Sequence, residues 1–271
     1  MVLMEANRGK PVDVVAGSLH IRLAESAEEI LASQRLRYRV FCEEMAAKPT
    51  AQQRLEQREY DSFDEYCDHL LVFDRNKTGA EAVVGSYRLM RREQAARRGQ
   101  FYSVDEYDLS ALQAYPGEIL ELGRSCVDAA FRTGSTMQLL WRGIAEYVFY
   151  YNIDIMFGCA SLPSVTPEEL ALPLSYLYHH HLAPPALRPR ALPSRYIEMN
   201  KIPVDEINLR EAKRLLPPLI RGYLRLGGFV GDGAVLDKDF GTTDVAIVVK
   251  TDWVTEKYYR HYRLAGESAR E

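Results

Sequence analysis

The sequence has no stretch approaching the ~20 consecutive apolar residues of a membrane-spanning helix. Its first eighteen residues carry no apolar run of the secretory type. The expectation is a cytoplasmic protein, with peripheral contact at the inner face of the membrane left open. Cysteine is scarce: Cys42, Cys67, Cys126 and Cys159 are the only four in 271 residues. None stands in a Cys-x-x-Cys pair, so neither a disulfide framework nor a zinc module is indicated, and reduced thiols are expected. An excess of positive charge is lacking too. The net charge is −4 and the pI about 5.9, which speaks against a dedicated nucleic-acid binder. His179, His180 and His181 invite a metal reading. Consecutive helical residues point about 100° apart, so three in a row do not converge on one ion, and no metal is expected.

What is present is the composition of an ordinary globular core, 47% apolar and 27% charged. The length allows one large domain or two small ones. Residues 1–18 read as a flexible N-terminus, 19–250 as one domain, and 251–271 as a charged tail. Leu19–Leu23 alternates and reads as a strand. Ser26 and Glu29 make a capping-box pattern before helical spacing from Ile30 to Phe41. Residues 45–59 are polar, a helix or a mobile loop. Cys67–Phe73 and Ala82–Met90 read as a hairpin around Asp74, Asn76 and Gly79. Glu118–Val127 reads as a strand buried on both faces, with a candidate bulge at Gly123. From Gly134 to Asn152 apolar residues recur at helical spacing, and Ile155–Ala160 reads as a buried strand. Residues 166–204 look like an insertion. It holds Pro167, Pro173, Pro184, Pro185, Pro189, Pro193 and Pro203, which break any long regular element. A helix at 212–226, interrupted at Pro217 and Pro218, and a strand at Asp244–Lys250 close the order. The class is α/β (α+β), a mixed central sheet flanked by helices.

Three local patterns carry a resemblance. Arg37-Tyr-Arg-Val-Phe41 ends the first helix, Glu59-Tyr-Asp61-Ser-Phe-Asp64 precedes Cys67-Asp68-His69-Leu70, and Glu121-Leu-Gly-Arg124 lies on a strand. Together, over roughly residues 19–250, they are similar to the ornithine N-acyltransferases of the GNAT-like fold, relatives of the acyl-homoserine-lactone synthases. The signal synthases usually place a tryptophan between the first two patterns; here the tryptophans are Trp141 and Trp253. Arg132-Thr-Gly134-Ser-Thr136 departs from the Q/R-x-x-G-x-G/A loop of acetyl-CoA enzymes. The resemblance therefore implies a 3-hydroxyacyl chain carried on the phosphopantetheine of acyl carrier protein, with no other cofactor. The acceptor it implies is the α-amine of L-ornithine, giving lyso-ornithine lipid. Other readings stay open: another acceptor such as glutamine, a homoserine-lactone synthase, or a haemolysin-like membrane-binding protein without catalysis.

Amide formation from a thioester needs a base, donors for the developing oxyanion, and orientation of the two reactants. Glu59 and Glu121 are the base candidates. Asp61 and Asp64 suit an ammonium, or alternatively a turn-capping pair. Arg37, Arg88 and Arg124 suit the acceptor carboxylate or bracing of the acidic run, and Phe41 suits the core or a ligand contact. Arg132, Gly134 and Ser135 stand where a helix start could meet the pantetheine phosphate. Arg91, Arg92, Arg97 and Arg98 form a basic cluster that could meet an acidic carrier protein. With no Gly-x-Ser-x-Gly elbow in the chain, direct transfer is expected rather than an acyl-enzyme.

Overall fold

The computed structural model describes residues 9–166 and 168–252, so all but the start of the 251–271 tail lies outside the described residues. Asp13–Ala16 (β1) and Leu19–Leu23 (β2) form a hairpin through Gly17, whose φ of 60° suits the tight turn. β1 falls within the stretch expected to be flexible. Burial of Val12 and Val14 and pairing to β2 order it.

Helix α1 (Ala27–Arg37) starts at Ser26, whose hydroxyl accepts the Glu29 N–H. The Glu29 carboxylate takes both guanidinium nitrogens of Arg22, at 2.8 and 2.5 Å, and the Glu25 N–H. Past Arg37 the helix widens into a π-helical turn, Tyr38–Glu44, a departure that favours functional sites. The polar stretch that follows contains the short helix α2 (Ala51–Glu56), held by a Thr50/Gln53 capping box.

β3 (Asp68–Asp74) and β4 (Val83–Arg91) pair antiparallel, with His69 opposite Arg88. α3 (Arg92–Arg98), the two-residue β5 (Tyr107–Asp108) and the single turn α4 (Ser110–Gln113) lead to β6 (Glu118–Val127). α5 (Gly134–Tyr150) buries Leu140, Ile144, Tyr147 and Val148, the face read from the sequence, whereas Met137 is 37% exposed. β7 (Ile153–Leu162) follows. The proline-rich stretch then holds α6 (Ala171–His181), β8 (Arg190–Ala191) and β9 (Tyr196–Ile197). Pro217 and Pro218 divide the expected helix into α7 (Leu209–Leu215) and α8 (Pro218–Arg225). β10 (Phe229–Asp237) and β11 (Thr242–Lys250) complete the fold.

The chain forms two compact units, one from Met1–Phe101 with Leu120–Ile153 and one from Tyr102–Ile119 with Asp154–Glu271, as far as these are described. In the first, β1, β2, β3, β4 and β6 run antiparallel in that order. In the second, β11 pairs antiparallel with β7 and β10, while β10 also takes β8 in parallel and β9 antiparallel. The sheet is therefore mixed, as expected for the GNAT-like class.

Candidate functional site

Six charged side chains of the first unit close into a ring of alternating sign. Arg37 meets Asp64 through Nη1 at 2.9 Å and Nη2 at 2.6 Å. Asp64 Oδ1 is 3.1 Å from Arg88 Nη1, which is also 2.5 Å from Asp61 Oδ1. Asp61 Oδ2 accepts from Arg124 Nη2 at 3.1 Å. Arg124 Nε donates to Glu59 Oε1 at 3.0 Å. Glu59 Oε2 lies 2.6 Å from Arg37 Nε as an ion contact, the Nε–H itself being aimed at the Glu59 carbonyl, 3.2 Å away. Three cations thus balance three anions.

The members arrive from a helix end, the 59–64 segment and two strands. Arg37 is the last residue of α1, and Gln34, one turn earlier, points the same way. Gln34 donates to Asp64 Oδ2 at 3.0 Å while its carbonyl receives the Glu59 N–H. Asp61 and Asp64 belong to one turn, in which Asp61 Oδ1 takes the Phe63 N–H and Asp61 O takes the Asp64 N–H. So Asp61 both caps the turn and pairs with arginines. Arg88 and Arg124 come from neighbouring strands, β4 and β6.

Burial makes the ring interdependent. Arg37 is fully buried, and the Glu59, Asp64 and Arg88 side chains are 7%, 7% and 4% exposed. Asp61 at 23% and Arg124 at 13% form its wetter corner. Burial alone would raise the Asp64 pKa, but the Arg37 and Arg88 guanidinium groups hold it well below the usual carboxylate range. Asp61 is likewise lowered against burial, by Arg88 and Arg124. Burial would lower the Arg37 pKa; Glu59 and Asp64 keep it above its ordinary value.

Glu121 sits on β6 opposite Met90, 4% exposed, outside the six contacts of the ring. The sequence placed a bulge at Gly123; the structure places it one residue further on. Ser86 and Arg88, two apart on β4, face Cys126 and Gly123, three apart on β6, and Arg124 has φ 51°. A left-handed arginine in a strand is a strained conformation that its ion contacts with Glu59 and Asp61 hold in place. Phe41 is buried in the π-helical turn, in the core.

Gly134 and Ser135 open α5, whose cap is Thr133; the Thr133 hydroxyl accepts the Thr136 N–H. Arg132 reaches Glu44 at 2.5 Å and the Val127 carbonyl at 2.9 Å. The basic cluster is divided by its own contacts. Arg91 donates to the Tyr147 hydroxyl and covers the Tyr151 ring, Arg98 stacks on Phe63 and bonds Ser62, and Arg97 is exposed.

The histidine run does not act as one group: His179 bonds the Ile202 carbonyl and His181 the Tyr176 hydroxyl. Sequence reasoning also passed over two polar groupings. His69 is 2% exposed and bonds the Asp64 carbonyl at 2.9 Å. In the second unit, Glu106, Asp237 and Asp244 bring carboxylate oxygens within 4.8 Å of one another, a set that could meet a hard cation through oxygen. Burial, followed by the nearby Asp244, pushes the Glu106 pKa up to about 7. Asp64 and His69 share the quoted run 59–70, but no pattern in it shows their bond, and no short motif unites the three acids, so the fold alone reveals both groupings.

The family model described as Acetyltransferase (GNAT) domain matches residues 36–142. The chain is 47% identical over 250 residues to the L-ornithine N(alpha)-acyltransferase of Brucella abortus (strain 2308), covering 91% of this chain and 89% of that protein. To the L-ornithine N(alpha)-acyltransferase of Agrobacterium fabrum (strain C58 / ATCC 33970) it is 45% identical over 258 residues, 94% of this chain and 87% of that protein. A solved structure, FeeM, an N-acyl amino acid synthase from uncultured soil microbes, aligns with a TM-score of 0.47 at 11% identity, over 87% of this chain and 92% of that one.

Proposed function

Since the chain belongs to the L-ornithine N(alpha)-acyltransferase family, we propose that it transfers a 3-hydroxyacyl chain from acyl carrier protein to the α-amine of L-ornithine. The enzyme class, an acyltransferase with the GNAT domain, follows from the family. The donor, the chemistry and the residue roles are our reading.

The observation that carries it is the wetter corner of the ion ring, where Asp61 and Arg124 meet at 3.1 Å. An amino acid acceptor brings an ammonium and a carboxylate of its own. At that corner it can exchange with the existing pair, ammonium to Asp61 and carboxylate to the Arg124 fork, without uncovering the buried members. The strained backbone at Arg124 places bulged main-chain groups beside the same corner, and these are our candidates for stabilising the thioester oxyanion. Glu59 is held between Arg37 and Arg124, so we read it as a brace of the ring. Glu121, buried on β6 three residues before Arg124, is the carboxylate we assign as base. Gly134 and Ser135 at the start of α5, with Arg132, would receive the pantetheine phosphate. Among the described residues no helix is long and apolar enough to cross a membrane.

The test is mass spectrometry of purified protein with 3-hydroxyacyl carrier protein and, separately, ornithine and each common amino acid. An ornithine amide as the dominant product supports the proposal. A glutamine or other amide would replace the acceptor, and no product with any acceptor would overturn it.

A further inference from the structure

His69 is a strand residue of β3, 2% exposed, and is not one of the six charged members of the ion ring. On β3 it lies opposite Arg88, and its carbonyl accepts the Ala24 N–H at 2.8 Å, so its backbone is fixed on both sides. Its Nε2 is 2.9 Å from the Asp64 carbonyl oxygen. A carbonyl only accepts, so Nε2 carries the proton. Nδ1 is buried with no hydrogen-bond partner. A second proton there would create a buried cation facing Arg37 and Arg88. Burial, with these two arginines, keeps the His69 pKa below its ordinary value. The imidazole is thus held neutral in one tautomer. A bare buried acceptor is costly, and the gain that offsets it is the bond to Asp64.

That bond ties the acidic turn to the sheet. Asp61, Phe63, Asp64 and Tyr66 are linked to one another by local bonds, Asp64 N to Asp61 O at 3.2 Å and Tyr66 N to Phe63 O at 3.0 Å. These fix the turn's shape. His69 pins the carbonyl of the very residue whose carboxylate spans Arg37 and Arg88.

We propose that His69 is a positioning residue of the acceptor site, its Nε2–H anchoring the Asp61–Asp64 turn so that the ion ring keeps the geometry that admits the amino acid. This deepens the function proposed above and rests on the ring being the acceptor site.

The test compares His69→Gln, whose amide nitrogen can take the place of Nε2, with His69→Leu, which keeps bulk but no donor. Steady-state kinetics with ornithine and acyl carrier protein substrate would show the ornithine KM of the Leu variant raised ~10-fold, the size of one lost buried hydrogen bond, and the donor KM little changed. The Gln variant would return close to the wild-type ornithine KM. Nitrogen NMR of the wild-type imidazole would show a protonated Nε2 and a bare Nδ1 from pH 6 to 8. A protonated Nδ1, or equal ornithine KM values in the two variants, would overturn the proposal; should the Leu variant not fold, the Gln variant and the spectrum still decide. Asp61→Asn separates the two layers. If it raises the ornithine KM and His69→Leu does not, this inference alone fails. If neither change moves that KM, the acceptor-site reading fails with it.

Discussion

Arg37 and Asp64, 27 residues apart, form a two-pronged pair in which neither partner is solvated: Arg37 is fully buried and the Asp64 side chain 7% exposed. Such a pair is stabilising only as a pair. Removing one member leaves the other charge buried without compensation, a loss of about 3–5 kcal/mol. Asp64→Asn should therefore lower stability by that order, read by urea unfolding with an unchanged m-value. Arg124→Gln, at the wetter corner, should cost clearly less. Equal losses would mean that the ring does not share its charges as the distances imply.

The two glutamates proposed by the sequence as bases separate in the structure, and so should their variants. Glu121→Gln removes the buried carboxylate assigned as base, so kcat should fall ~10²–10⁴-fold, the usual value of a general base. Glu59→Gln should instead destabilise, since it frees one side of Arg37 and of Arg124. Rapid-mixing kinetics alongside calorimetry would check both. A Glu121→Gln enzyme with wild-type kcat would remove Glu121 from the base role.

Gly143 lies where α5 crosses β2. A Cβ built there would stand 2.5 Å from Ile21 Cδ1. Gly143→Ala must therefore push the helix or force the Ile21 rotamer. Overpacking of this kind costs about 1–3 kcal/mol, outweighing the helix-propensity gain of alanine. Thermal unfolding would show a lower midpoint, and Gly143→Ala with Ile21→Val should recover part of it.

Periodicity made the strong elements readable. β6 was legible to the residue, and the buried face of α5 nearly so, because apolar spacing and burial follow the same period. β10 was not, since Gly231 and Gly233 within it look like turn residues. They are there because the Pro189 carbonyl and the Tyr196 ring lie 2.7 and 2.5 Å from where their Cβ atoms would be, and Gly233 has φ 85°. Of the site, the six charged residues were legible as a set. Their mutual pairing was not, because it joins a helix end, a turn and two strands across 87 positions from Arg37 to Arg124. Asp61 shows the limit well: it was read as an ammonium ligand or a turn cap, and the structure has it cap the turn while pairing with Arg88 and Arg124.

The buried acids of the second unit give a pH dependence of defined sign. Glu106 faces Asp244 on β11, Asp237 on β10, Cys159 on β7, whose thiol donates to Oε2 at 3.2 Å, and Arg195, 3.4 Å from Oε1. Its neighbour Tyr107 is fully buried beside it. Burial and then Asp244 raise the Glu106 pKa to about 7 in the folded chain, against roughly 4.3 for an unfolded glutamate. The native state therefore binds a proton more tightly than the unfolded state does. The stability from this group is complete below the unfolded pKa and declines as pH climbs through about 7, each unit of elevation being worth about 1.4 kcal/mol. Glu106→Gln cannot lose that proton. Relative to wild type, its melting temperature should gain steadily from pH 5 to 7.5 and level off above. A constant difference across that range would show that Glu106 is ionised in the folded protein. A wild-type rise on adding magnesium or calcium at pH 8, absent in Glu106→Gln, would instead show that a cation takes the place of the proton.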